Sequence, residues 1–301
     1  DYQGVLDEIA DLLDILGSHE RLTSVVREEL EEVRSTYGDE RRTDIVSSQL
    51  DLSDADLINE EDLVVTISHQ GYAKTQPLDT YQAQRRGGRG KAATAVKDED
   101  FVEHLLVAHS HDTLLCFSNV GKVYWLRVFV IPQGSRGAKG RPMVNLLPLE
   151  GDERITAILP IKAYTSDHLV VMATANGTPE KTPLDQFARP RTSGLVALDR
   201  EVDNSLVGAA MTNGSCDILL CASSGKATRF IESDVRAVGR SAKGVRGIKL
   251  GTGHALISLI IPTADGYLLT ASENGYGKRT ALDDFPLRGR GAQGVIAMQT
   301  S

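Results

Sequence analysis

Residues 84 to 90 read QRRGGRG and Lys91 follows, so Arg85, Arg86, Arg89 and Lys91 stand within seven positions, beside Gln84 and on backbone loosened by Gly87, Gly88 and Gly90. Glycine lets backbone amides approach an anion closely, and the planar guanidinium of arginine grips phosphate oxygens in pairs. The chemistry that suits this stretch is polyanion binding. Four further segments are of the same type: QGSRGAKGR (133–141) with Arg136, Lys139 and Arg141, ARPRTSG (188–194) with Arg189 and Arg191, VGRSAKGVRG (238–247) with Arg240, Lys243 and Arg246, and LRGRGAQG (287–294) with Arg288 and Arg290. One such loop is ordinarily a wet surface. Five at one place in a repeat make a belt of positive charge.

Competing chemistries fail on context. Gly289 to Gly294 fits G-x-G-x-x-G by letter, but no nucleotide-binding strand-turn-helix surrounds it. Gly90-Lys91 is followed by Ala92 where a phosphate loop needs Ser or Thr, and Arg85 stands where its first glycine belongs. No Ser/His/Asp or paired-carboxylate pattern stands out, so no catalytic residue is assigned. His109 and His111 form the one histidine cluster and lack partners at zinc-like spacing, so they read as a solvated loop and no metal is expected. Cys116 and Cys221 lie in apolar runs and Cys216 in a turn, which suits reduced, structural thiols. Tyr72, Tyr81, Tyr124 and Trp125 could stack on bases, but in strand contexts they read as core or blade edge.

The overall charge of -8 hides a division. Residues 1–62 hold 19 acidic and 5 basic side chains, a net of -14, while the other 239 residues hold 22 acidic and 28 basic, a net of +6. An acidic front end masks a basic body, and such asymmetry points to a polyanion partner for the body. No apolar run approaches the length of a membrane span and the first residues lack a secretory pattern, so the expected setting is cytoplasmic, without membrane contact.

The elements that must carry these loops can be read from periodicity. Val5, Ile9, Leu12 and Leu16 fall on one helical face, as do Leu22, Val26, Leu30, Val33 and Tyr37, with Ser18 placed to cap the second helix. Their apolar stripe needs a partner. An acidic stretch without a sustained period follows, and it reads as a solvated linker or, more sharply, as a competitor for the basic body. From Leu63 onward one unit recurs five times: a β-prone run, a tight turn carrying Gly71, Gly121, Gly177, Gly225 or Gly275, and a second strand with a basic residue. The glycines are 50, 56, 48 and 50 residues apart. PLDTY (77–81), PLDQF (183–187), ALDDF (281–285) and the looser IESDV (231–235) then precede a basic loop, and the loop leads into another apolar strand such as GLVAL (194–198) or GVIAM (294–298). A period near 50 with about four strands per unit means radial blades, since a lone four-stranded sheet cannot cover its own faces. The fold expected is mainly β, a propeller-like body of about five visible four-stranded blades, preceded by short α-helices.

Gln84 to Gly90 matches the seven-residue box of gyrase A, and the five units resemble the C-terminal domain of bacterial DNA gyrase A. EIADLLDIL (8–16) and REELEEVRSTYGDERRT (27–43) resemble the end of the breakage-reunion domain in that family. The resemblance implies three parts: a helical end at 1–43, an acidic linker at 44–62 and a DNA-wrapping β-pinwheel at 63–301. The blades would exchange strands; five units are counted where this family commonly has six, which leaves both a closed ring and an open or spiral disc as alternatives. It implies that Gln84, Arg85, Arg86, Arg89 and Lys91 form the main DNA contact and that the other four loops guide double-stranded DNA along the rim. The fragment would be non-catalytic within an ATP-dependent type II DNA topoisomerase that introduces negative supercoils, partnered by gyrase B and the rest of gyrase A in an A2B2 complex. It would need no cofactor of its own, with ATP and Mg entering through gyrase B, and it would be cytoplasmic and chromosome-associated. The runners-up are the C-terminal domain of the corresponding topoisomerase IV polypeptide, which lacks an intact box, and a protein-binding propeller.

Overall fold

The computed structural model describes residues 2–43, 54–81, 100–199, 201, 203–240, 243–263 and 266–299. The chain divides between residues 51 and 52 into two compact units. In the first, α1 (Tyr2–Gly17) and α2 (His19–Tyr37) form a helical hairpin. Ser18 caps α2, its Oγ accepting from the Arg21 N–H at 3.3 Å, and the Arg21 guanidinium reaches back to Asp11 at 3.3 Å. The apolar stripe of Val5, Ile9, Leu12 and Leu16 stays exposed within this unit.

The second unit opens with a single 3-10 turn, Asp54–Leu57, followed by chain anchored to the blades. Ser110 Oγ donates to the Asn59 carbonyl at 2.8 Å, His111 Nε2 to the Ala55 carbonyl at 3.0 Å, and Gln133 Nε2 to Glu61 Oε1 at 3.3 Å. His109 and His111 therefore sit at a turn that holds the acidic segment in place.

Five repeats follow. The first contains β1 (Asp62–Ser68), β2 (Tyr72–Pro77) and β3 (Val102–His109), and the second β4 (Thr113–Ser118), β5 (Lys122–Arg127), β6 (Arg141–Pro142) and β7 (Ile155–Ile161). The third contains β8 (Leu169–Thr174), β9 (Pro179–Pro183), β10 (Leu195–Val196) and β11 (Leu206–Thr212). The fourth has β12 (Asp217–Ala222), β13 (Lys226–Ile231) and β14 (Leu256–Ile260), and the fifth β15 (Tyr267–Ala271), β16 (Gly277–Ala281) and β17 (Val295–Ile296). Each repeat begins with an antiparallel hairpin whose turn glycine lies in the left-handed region, with φ between 72° and 83°. One 3-10 turn ends every hairpin: Leu78–Thr80, Val128–Val130, Leu184–Phe187, Glu232–Asp234 and Leu282–Asp284.

The sheets are ordered β3-β1-β2-β6, β10-β5-β4-β7, β11-β8-β9, β14-β12-β13-β17 and β15-β16. The short strands are lent backwards: β6 of the second repeat pairs with β2 of the first, β10 with β5, and β17 with β13. The fourth repeat does the same with two amides, since Gly247 and Ile248 donate to the Gly177 carbonyl at 2.9 and 3.4 Å. Strand exchange between neighbours is thus present along the row. The β15-β16 sheet is two-stranded among the described residues.

The hairpin strands of the middle repeats are buried on both faces, which explains why TLLCFS reads as an unbroken run. Leu114 and Cys116 of β4 face a core shared with Leu63, Val65 and Ile67 of β1, while Leu115 and Phe117 face one shared with Val170 and Met172 of β8. The alternation continues: Val171 and Ala173 pack with Ile218 and Leu220 of β12, and Leu219 and Cys221 with Leu268 of β15. Among the described residues four cores, each between consecutive blades, hold the body together. Burial pushes the Cys116 thiol up to about 12 and the Cys221 thiol up to about 11, as expected of inert core cysteines.

Candidate nucleic-acid interface

The basic loops occupy equivalent places because each is tied to the preceding blade, three of them at both ends. Loop 133–141 leaves β2 beside Thr75, where the Thr75 N–H donates to the Pro132 carbonyl at 3.0 Å and Gly134 N–H to the Thr75 carbonyl at 3.1 Å. It returns at Ala73, which pairs with Arg141. Loop 238–247 leaves at Lys181, through Val238 N–H to the Lys181 carbonyl at 2.8 Å, and returns at Pro179, through Val245 N–H to its carbonyl at 3.1 Å. Loop 287–294 leaves at Arg229, through Arg288 N–H to its carbonyl at 2.9 Å, and returns where Val295 pairs with Ala227. Loop 188–194 ends in the same way, with Leu195 paired to Val123.

Two positions of the second hairpin strand serve these loops, and the turn glycine counts them. Three residues after it stand Lys74, Tyr124, Glu180 and Thr228, all buried, and the first three of these lie against the loop that the next repeat contributes. Four residues after it stand Thr75, Trp125, Lys181 and Arg229, and each donates to a carbonyl at the next repeat's 3-10 turn. The acceptors are Ile131 at 3.3 Å, Phe187 at 2.9 Å, Glu232 at 3.1 Å and Leu282 at 3.0 Å. Arg279, the fifth residue of this series, lies over the Tyr267 ring at 4.5 Å. Four chemically different donors thus do one job. In the sequence both positions look alike as part of a strand with a basic residue, yet they differ by one residue and point to opposite faces.

Of the anticipated contact residues, Gln84, Arg85, Arg86, Gly87, Gly88, Arg89, Gly90 and Lys91 lie outside the described residues. Lys139, Arg141, Arg189, Arg191, Lys243, Arg246, Arg288 and Arg290 are exposed, and Arg136 and Arg240 are half-buried. Two arginines have an additional task. Arg136 donates to the Thr80 carbonyl and Arg290 Nε to the Asp234 carbonyl at 3.1 Å, in each case the last residue of the preceding repeat's 3-10 turn. Successive loops also touch: Gly291 N–H donates to the Gly247 carbonyl at 2.6 Å, and Arg290 Nη1 to the Arg246 carbonyl at 3.4 Å. Tyr124 and Trp125 are core and tether, with the Tyr124 hydroxyl donating to Glu153 at 2.9 Å. Beneath loop 238–247 a cavity of about 350 Å³ is lined by Glu180, Asp199, Asn204 and Lys243. Burial, aided by Asp199, pushes the Glu180 carboxyl up to about 8.

A family model described as DNA gyrase C-terminal domain, beta-propeller, matches residues 62–109, 112–162, 217–263 and 266–301. The chain belongs to this family. Its third repeat lies outside the matched segments yet keeps the same hairpin, tether and loop return. The DNA gyrase A polypeptide of Pseudomonas aeruginosa is 53% identical over 344 residues, covering 100% of this chain and 37% of its own length. The DNA gyrase A polypeptide of Escherichia coli K12 is 53% identical over 265 residues, covering 88% of this chain and 30% of its own length. The chain therefore spans about a third of these relatives. Among solved structures, a DNA gyrase A C-terminal domain matches with a TM-score of 0.65 and 27% identity over 78% of this chain and 76% of that one. The C-terminal domain of a DNA topoisomerase IV matches with a TM-score of 0.66 and 28% identity over 79% of this chain and 73% of that one. The fold alone does not separate the two enzymes, whereas these relatives at 53% identity are gyrase polypeptides.

Proposed function

We propose that the body binds double-stranded DNA across its basic loops and wraps it, serving a type II topoisomerase of the gyrase kind that introduces negative supercoils. The observation that carries this reading is the repeated loop geometry: four loops return at the same place on successive blades, three of them also leave at the same place, and eight exposed cations stand on them. The box at 84–90 belongs to the first repeat's loop and extends the same series. Bending 20–30 base pairs by 40–90° costs on the order of 1–6 kcal/mol, so a wrap must regain this at successive anchors. Counterion release at each neutralised phosphate supplies it with little dependence on base sequence.

In this reading the chain holds and bends DNA, and cleavage belongs to the rest of gyrase A. ATP and Mg belong to gyrase B of an A2B2 complex. No described helix is long and apolar enough to cross a membrane, and we place the protein in the cytoplasm on the chromosome. The test is topological: the chain is bound to nicked circular DNA, the nick is ligated, and the linking-number change is read. A change of consistent sign is expected, with loss of supercoiling when Arg85, Arg86 and Arg89 are replaced by alanine in the full enzyme. No linking-number change and no bending of short duplexes would favour a protein-binding ring.

A further inference from the structure

Lys74 is an unusual residue to bury. It lies on β2 with only 1% of its surface accessible, and no carboxylate pairs with it among the described residues. Instead its Nζ donates to three carbonyls of loop 133–141, those of Ser135, Arg136 and Ala138, each at 3.0 Å. An ammonium has three N–H donors, so the cage satisfies it fully. The loop departs from β2 at Thr75 and returns at Ala73, and Lys74 stands between these anchors. Two glycines let the backbone close around it. A Cβ on Gly134 would meet the Lys74 stem at 3.4 Å, and one on Gly140, at φ 90°, would meet the Ala73 carbonyl oxygen at 2.2 Å.

We infer that Lys74 is a positioning residue for DNA contact: its ammonium gathers the loop carbonyls inward and so sets the outward presentation of Lys139 and Arg141. This rests on the DNA-binding reading above. Three carbonyl dipoles turned toward one buried cation leave the other side of the loop to side chains and amides that favour an anion. The consequence reaches further, because Arg136 ties the same loop to the Thr80 carbonyl, four residues before the box begins at Gln84. The same position carries Tyr124, Glu180 and Thr228 in the next three repeats, so the ammonium cage distinguishes loop 133–141 from its neighbours.

The test compares the parent chain with Lys74→Met, Lys139→Ala/Arg141→Ala, and the triple variant. Trypsin should cut after Arg136 and Lys139 about tenfold faster in Lys74→Met, with the other loops unchanged, since cleavage of a native loop follows its local opening. Short-duplex affinity should fall to that of Lys139→Ala/Arg141→Ala, and the triple variant should lose nothing more. The log-log salt slope should decrease by about 1.8, at about 0.9 for each of two lost phosphate contacts. Unchanged cleavage, unchanged affinity, or strictly additive losses would overturn the inference. If Lys74→Met does not fold by thermal melting, Lys74→Arg replaces it: the charge is kept but a planar fork cannot converge on three carbonyls, so the same cleavage and affinity changes are expected. Failure of the parent chain itself to bind duplex DNA would overturn the function proposal, whereas binding with additive losses would overturn only the role of Lys74.

Discussion

Lys181 of the third repeat and Glu232 of the fourth are buried together, with Nζ 3.5 Å from Oε1 and 3.1 Å from the Glu232 backbone carbonyl. Thr212 Oγ1 donates to the same carboxylate at 2.6 Å and the Cys216 N–H at 3.1 Å. Removing one partner strands the other charge in the interior, so Lys181→Ala should destabilise the body by about 3–5 kcal/mol. The double variant Lys181→Met/Glu232→Leu should cost less than Lys181→Ala or Glu232→Ala alone. Urea denaturation of the three variants checks this.

Gly294 ends the last basic loop at φ 80°, where a Cβ would meet the Ala227 carbonyl oxygen at 2.4 Å. Gly275, at φ 81°, would meet nothing within 4 Å. Gly275→Ala should therefore cost roughly the 1–2 kcal/mol of left-handed backbone alone, and Gly294→Ala clearly more. Denaturation midpoints of the pair separate conformational strain from steric overlap, and equal losses would contradict the close approach of loop and blade.

Glu180 provides a pH dependence with a definite sign. A glutamate of the unfolded chain releases its proton near 4.5, but the buried Glu180 retains it up to about 8. Between these values the native state binds more protons than the unfolded state, so stability falls as pH rises through the window. Below 4.5 its contribution is intact. Glu180→Gln should remove this fall and gain on the order of 1–3 kcal/mol at pH 8, with little gain at pH 5. Melting temperatures at the two pH values provide the readout, at about 2–4 °C per kcal/mol for a body of this size.

Arg189 and Arg191 are exposed, whereas Arg229 is half-buried between Asp217 at 2.7 Å and the Leu282 carbonyl at 3.0 Å. Position separates their roles. Arg189→Ala/Arg191→Ala should lower the log-log salt slope of DNA binding by up to about 1.8 while leaving the melting temperature unchanged. Arg229→Ala should lower the melting temperature and change the slope little. The reverse pattern would place the DNA path away from the loops.

The sequence was most readable where physics is local. A glycine at positive φ between two β-prone runs specifies each hairpin, and the clustering of arginine with glycine marked every loop. The identity of each strand's partner was not local. β6, β10 and β17 are two residues each, too short to show a period, and each pairs with a strand from the repeat before it. Family likeness, rather than spacing, supplied the exchange of strands. The distinction between Lys74 and Lys181 was hidden for a similar reason: both are basic residues just after a turn, and only the register shows that one fills a loop while the other ties two blades. Arg136 and Arg290 resemble the other loop cations in sequence, because their carbonyl contacts depend on where the previous repeat's 3-10 turn ends.

Backward lending of strands puts the repeat in the gene and the blade in space out of phase. During synthesis the first blade remains incomplete until Pro142 has left the ribosome, some 65 residues beyond the end of its own hairpin. Assembly therefore has a direction, from the N-terminal blade onward, and a nascent chain always carries one unsatisfied edge. Cutting the gene at hairpin boundaries would then yield pieces that each lack a strand at one end and carry a surplus one at the other.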